Sequence, residues 1–161
     1  MARKVIFTTG QTPVQLAYLA GIIDGEGCFY VGHIKQGKYG TRQQWHAKIQ
    51  ITSCDICLIE WLREHFTGCS QNQYRWTSKK AFCRAVYNWS IGGEALDYFL
   101  PLLEPFLIIK QKQCQVMKEI RKTFKNWGSK RLPDNVLQKR TELLKQMRKL
   151  NSRFHNHALK Q

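Results

Sequence analysis

The chain has 161 residues, with 26 Lys and Arg against 11 Asp and Glu, a formal net charge of +15 and a pI near 9.8. With 43% hydrophobic and 12% aromatic residues it can build one core, which excludes wholesale disorder. No apolar run reaches the roughly 18–20 residues of a membrane span, and the opening MARKVIFTTG lacks the apolar centre of a secretory signal, so a soluble, intracellular protein is expected. Six cysteines (Cys28, Cys54, Cys57, Cys69, Cys83, Cys114) in such a chain read as reduced thiols. The lone Cys54-x-x-Cys57 lacks two further ligands at zinc spacing. The positive excess favours a polyanion, with nucleic acid ahead of an anionic membrane surface.

Residues 1–11 read as a basic arm, 12–127 as the core and 128–161 as a basic helical segment, all within one domain. The clearest helix start is Thr12, followed by Pro13 at the first helical position and Gln15 three residues after Thr12, a capping box with a pre-set φ. This helix should run to about Asp24. Leu16, Leu19 and Ile23 form its bulky face, and Ala17, Ala20, Gly21 and Asp24 a narrow face of small residues. Two apolar faces on one helix call for a second helix at close approach, and the natural one is its own copy in a two-fold homodimer.

Gly25-Glu26-Gly27 ends the helix, and residues 28–34 alternate like a strand, as do 44–53. In the second of these, Trp45, Ala47, Ile49 and Ile51 fall on one side and His46, Lys48, Gln50 and Thr52 on the other. Residues 55–66 form a short amphipathic helix, 71–77 and 82–91 a hairpin across Ser78-Lys79-Lys80, and 94–103, 111–127 and 135–156 three further helices. The order α-ββ-α-ββ-α gives an α+β fold: a four-stranded antiparallel sheet with helices on one face and the other face open, polar and basic. That open face suits the major groove, where Gln50 and Asn88 match adenine and Arg75 or Arg84 match guanine. The expected contact set is Lys35, Lys38, Tyr39, Arg42, Gln44, His46, Lys48, Gln50, Gln73, Arg75, Arg84 and Asn88.

Two of the few carboxylates, Asp24 and Glu26, sit at the end of the first helix. If that helix pairs about a two-fold axis, the two Glu26 side chains become neighbours and call for a hard divalent cation between them. The stretch LAGIIDGEG, residues 19–27, resembles the signature of the LAGLIDADG homing endonucleases, with Gly25 and Glu26 where the motif has alanine and aspartate. PFLIIKQKQ, residues 105–113, resembles the segment that carries the catalytic lysine of the single-motif members. The resemblance covers roughly residues 12–125.

The resemblance implies a homodimeric saddle, each sheet lying in the major groove of one half-site of a long pseudo-palindromic double-stranded DNA that it cuts near the centre. It implies that Glu26 and the Gly25 carbonyl hold Mg²⁺, for which Mn²⁺ can substitute, and that Lys110 serves the hydrolytic water network. Ser53 stands where relatives often have a glutamine, and Cys57 where they often have an arginine; Ser53 is kept as a catalytic candidate, and Lys48 or Arg63 are the alternatives for positioning the water. The gene is expected to be intron-encoded and mobile, with a chloroplast or mitochondrion as one expected site. The rival readings are an RNA maturase and a non-cleaving DNA-binding regulator on the same fold.

Overall fold

A computed structural model describes residues 10–36, 42–73, 86–124 and 132–156. Chain order is α1 (Pro13–Gly25), β1 (Cys28–Gln36), β2 (Arg42–Ser53), α2 (Ile56–His65), β3 (Cys69–Gln73), β4 (Val86–Gly92), α3 (Gly93–Leu103), a 3₁₀ turn (Glu104–Phe106), α4 (Gln111–Lys122) and α5 (Asp134–Asn156). The four strands form one antiparallel sheet in the order β1-β2-β4-β3. This is the expected α-ββ-α-ββ-α arrangement, and α5 joins its helical layer by packing on α4 and β1. The turn expected at Ser78-Lys79-Lys80 lies outside the described residues.

Helix α1 begins as the sequence requires. The Thr12 hydroxyl accepts from the Gln15 N–H at 3.3 Å, the Gln15 side chain accepts from the Thr12 N–H at 2.8 Å, and Pro13 supplies the fixed φ. It stops because the chain turns sharply at Gly27, whose N–H donates to the carbonyls of Ile22 and Ile23. A Cβ on Gly27 would stand 2.6 Å from the Ile23 Cα, so only glycine fits between the helix and β1.

Period-two alternation sorts the sheet into two faces. Phe29 and Val31 of β1, Trp45, Ala47, Ile49 and Ile51 of β2, and Trp89 and Ile91 of β4 are buried under the helices. Leu19, Ile23, Phe66, Leu96 and Phe99 fill that layer, and Leu143, Leu144 and Met147 of α5 extend it. Arg140 of α5 is buried too: its guanidinium donates to the hydroxyl and carbonyl of Thr123 and lies 4.4 Å from the Phe124 ring centroid. A two-pronged Arg121–Asp97 pair joins α4 to α3, and Lys118–Glu104 at 2.6 Å joins α4 to the 3₁₀ turn.

The interface face of α1 needs correction. Leu16, Leu19, Ala20 and Ile23 recur at helical spacing and turn into the chain's own core, where Ala20 is 0% exposed. Ala20 therefore has no surface to offer a partner. The outward stripe is Val14, Ala17, Tyr18, Gly21 and Gly25, with Val14 77% and Tyr18 54% exposed. Asp24 is half-buried, and its carboxylate is engaged within the chain, as the next subsection describes.

Candidate nuclease site and nucleic-acid face

Two helix ends meet where α1 stops and α4 starts. The last carbonyls of a helix lack intrahelical donors and carry partial negative charge; the first N–H groups carry the opposite. Helix α1 has no basic residue in its last turn, and α4 has no side-chain cap. The turn that leads into α4 and the end of α1 are bonded to each other. The Asp24 carboxylate accepts the backbone N–H groups of Ile108, Ile109 and Lys110 at 2.7, 3.1 and 2.9 Å. In return the Lys110 ammonium donates to the carbonyls of Ile23 and Gly27 at 2.7 and 2.6 Å.

This reciprocal clasp explains why a lysine is buried. Lys110 is only 9% exposed, and burial pushes its ammonium below the ordinary lysine value, while the charges of Asp24 and then Cys28 act the other way. Ile23 and Gly27 flank Glu26, so the clasp fixes the backbone on both sides of that residue. Glu26 itself is the C-cap of α1, with φ −119° and an exposed side chain.

Strand register brings this junction to the sheet. Cys28, the first residue of β1, pairs with Gln50, so the α1–β1 turn lies beside the end of β2 that carries Thr52 and Ser53. The Ser53 hydroxyl accepts the Asp55 N–H at 3.0 Å, a bond that fixes the turn into α2 and uses a lone pair rather than the hydroxyl hydrogen. Cys57 is exposed, and its N–H donates to the Asp55 carboxylate that caps α2.

The sheet face away from the helices carries Gln44, His46, Lys48, Gln50 and Thr52 from β2, Tyr30 and Ile34 from β1, and Asn88 and Ser90 from β4. The Lys48 ammonium sits 5.4 Å from the Tyr30 ring centroid. All 11 Asp and Glu of the chain lie outside residues 28–53 and 66–93, so no carboxylate stands on the strands. A polyanion meets no like charge there. Asn88 departs from expectation: it is only 8% exposed, and its oxygen accepts from Gln50 and Thr52.

Lys35, Arg42 and Gln73 lie at strand ends, Lys35 opposite Gln43, Arg42 opposite Gln36 and Gln73 opposite Val86. Lys38, Tyr39, Arg75 and Arg84 fall outside the described residues. Three groups escaped the sequence reading. Tyr30 and Ile34 are 43% and 55% exposed on the polar face, and the even-numbered alternation of β1 would have found them. The third is the acceptor role of Asp24, which no local pattern announces, since its partners stand 84 to 86 residues away.

Comparison with known proteins agrees with this geometry. A family model described as LAGLIDADG endonuclease matches residues 19–118. A search of curated proteins gives no match. Among solved structures, the homing endonuclease I-CvuI in complex with its target superposes with a TM-score of 0.66 at 18% identity, over 86% of this chain and 82% of that one. The archaeal intron-encoded homing endonuclease I-Vdi141I, complexed with DNA, gives 0.66 at 22% identity, over 85% and 84%. I-SmaMI, a LAGLIDADG homing endonuclease bound to cleaved DNA, gives 0.61 at 25% identity, over 84% of this chain and 43% of that one. The motif on α1, the α+β topology and the matched span together establish that this chain belongs to the LAGLIDADG endonuclease family.

Proposed function

We propose that the chain acts as a homodimer that hydrolyses both strands of a long, two-fold-related DNA site, using a divalent cation, Mg²⁺ first and Mn²⁺ as a substitute. The observation that carries this reading is the exposed Glu26 carboxylate, held at a clasped helix end beside an acid-free sheet face.

The donor set fits a hard cation. Glu26 offers a carboxylate, and Gly25, at the C-terminal end of α1, offers a carbonyl with no intrahelical donor at the negative end of the helix dipole. Glu26 and the Gly25 carbonyl would fill only part of the about six oxygen positions of a hard cation, and a second Glu26, phosphate oxygens and water would complete the set in a two-fold arrangement over DNA.

The outward stripe of α1 suits that pairing. Added Cβ atoms on Gly21 and Gly25 would meet nothing within 4 Å, which leaves room for a second helix backbone, with Ala17, Val14 and Tyr18 as the apolar border.

When bound, the cation would lower the pKa of water and stabilise charge on the phosphate. The chain's own parts have separate tasks. The open sheet face binds and orients the duplex, Glu26 and the Gly25 carbonyl would hold the cation, and the Lys110 ammonium, bonded to the carbonyls of Ile23 and Gly27, offsets the negative helix end. Ser53 retains its hydroxyl hydrogen to orient water at the end of β2. The maturase and regulator readings give Glu26 no task.

The test is cleavage of a randomised DNA library with Mg²⁺ and with Ca²⁺, followed by sequencing of the ends. One long two-fold-related site cut on both strands with Mg²⁺ alone supports the reading. Salt-sensitive retention of DNA without any cut in Mg²⁺ or Mn²⁺ overturns it in favour of the regulator.

A further inference from the structure

The sequence makes Gln50 and Asn88 equivalent candidates for reading adenine, but the structure treats them differently. Asn88 of β4 is 8% exposed, while Gln50 of β2 is half-buried and Thr52 is exposed. β2 and β4 pair with Thr52 opposite Asn88 and Gln50 opposite Ser90, so Gln50 lies diagonally across from Asn88 on the open face. Gln50 Nε2 donates to Asn88 Oδ1 at 3.3 Å, and Thr52 Oγ1 donates to the same oxygen at 2.5 Å.

The orientation of the two amides decides what the groove meets. Turning both would place the Asn88 NH₂ between Thr52 Oγ1 and Gln50 Oε1, and would present the Gln50 NH₂ outward. In the structure the Asn88 atom that faces both neighbours is the oxygen, whose two lone pairs take one hydrogen from Thr52 and one from Gln50. An oxygen there fixes the nitrogen of Gln50 towards Asn88.

The geometry points to Asn88 as a positioning residue for base specificity: anchored by Thr52, it holds the Gln50 amide so that Oε1 and the second Nε2 hydrogen form an acceptor–donor pair towards the groove. That pair matches the N6 donor and N7 acceptor of adenine and mismatches guanine, which offers two acceptors along the same edge. The inference rests on the proposed binding of DNA by this face. It assigns Gln50 to direct reading and removes Asn88 from it.

The experiment is selection of bound sites from a randomised DNA library in Ca²⁺, which makes the result independent of cleavage, with the wild-type chain and four variants. The wild type is expected to prefer adenine at one position of each half-site, and Gln50→Ala to lose that preference by roughly tenfold or more. Asn88→Ala should flatten the same position and leave the others unchanged, which loss of the fold would not do. Asn88→Asp, whose side chain can only accept, should keep the preference even as its charge weakens all sites alike. Thr52→Val removes the anchor, lets the Asn88 amide turn and should admit guanine.

Persistence of the adenine preference in Asn88→Ala overturns the inference, as does its loss in Asn88→Asp or a Gln50-dependent base other than adenine. If the wild type selects a site that none of the four variants alters, the inference falls and the DNA-binding function stands. If the wild type selects no site at all, both fall.

Discussion

Asp24 is the residue whose structural role departs furthest from its place in the motif, and its replacement gives the sharpest stability prediction. In Asp24→Ala the N–H groups of Ile108, Ile109 and Lys110 lose their common acceptor. Ile108 and Ile109 are 87% and 56% exposed, so water can take over there and each lost bond costs about 0.5–1 kcal/mol. Lys110 is buried, so loss of the carboxylate acceptor at its N–H costs about 1–3 kcal/mol. The sum is about 3 kcal/mol, which for a chain of this size corresponds to a fall in Tm of about 6–12 °C. Asp24→Asn keeps one acceptor oxygen and should lose about half as much. Urea and thermal unfolding measure both, and sedimentation of the folded variants should show no change in association state. A loss below about 0.5 kcal/mol in Asp24→Ala, or equal losses in the two variants, would refute the clasp as a stabilising element.

Further outcomes follow from other parts of the structure. Gly21→Leu fills open space on the outward stripe of α1, so it should leave the unfolding free energy of the isolated fold within about 0.5 kcal/mol while converting the proposed dimer to monomer on a sizing column; a variant that elutes as a dimer would refute pairing through this stripe. The hydrogen bond from Lys118 holds the Glu104 carboxyl below its ordinary value, so its contribution is present above the unfolded value near 4.5 and lost as pH falls through the lowered folded value. Glu104→Gln should therefore be less stable than wild type at pH 7, by no more than about 1 kcal/mol for so exposed a pair, and the difference should vanish in acid. Burial pushes the Cys114 thiol up to about 12, whereas Cys28, Cys54 and Cys57 are exposed. A thiol reagent should modify those three in the native protein and reach Cys114 only on unfolding, as peptide mapping would show.

What the sequence revealed was what local physics encodes. The capping box at Thr12, the alternation of β2 and the apolar face of α2 each lie within a dozen residues, and all three appear as expected. The small residues of α1 do not share one face. Gly21 and Ala17 do face outward, but Ala20 stands four residues after Leu16 and turns with it into the core, so side-chain size alone did not reveal the direction. The clasp and the Asn88 anchor were hidden because they join residues far apart in the chain, through bonds that leave no periodic trace. Lys110 was found by resemblance, whereas its burial against the carbonyls of Ile23 and Gly27 became visible only in three dimensions.

The central claim is that Glu26 carries the cation that cuts DNA, and Glu26→Gln tests it most directly. The substitution keeps size and removes the charge at an exposed position, so the fold should persist. With the site recovered from the library, wild type and variant are compared for binding in Ca²⁺ and for cleavage in Mg²⁺. The account predicts that the variant binds the site and leaves it intact; cleavage at the wild-type rate would contradict it.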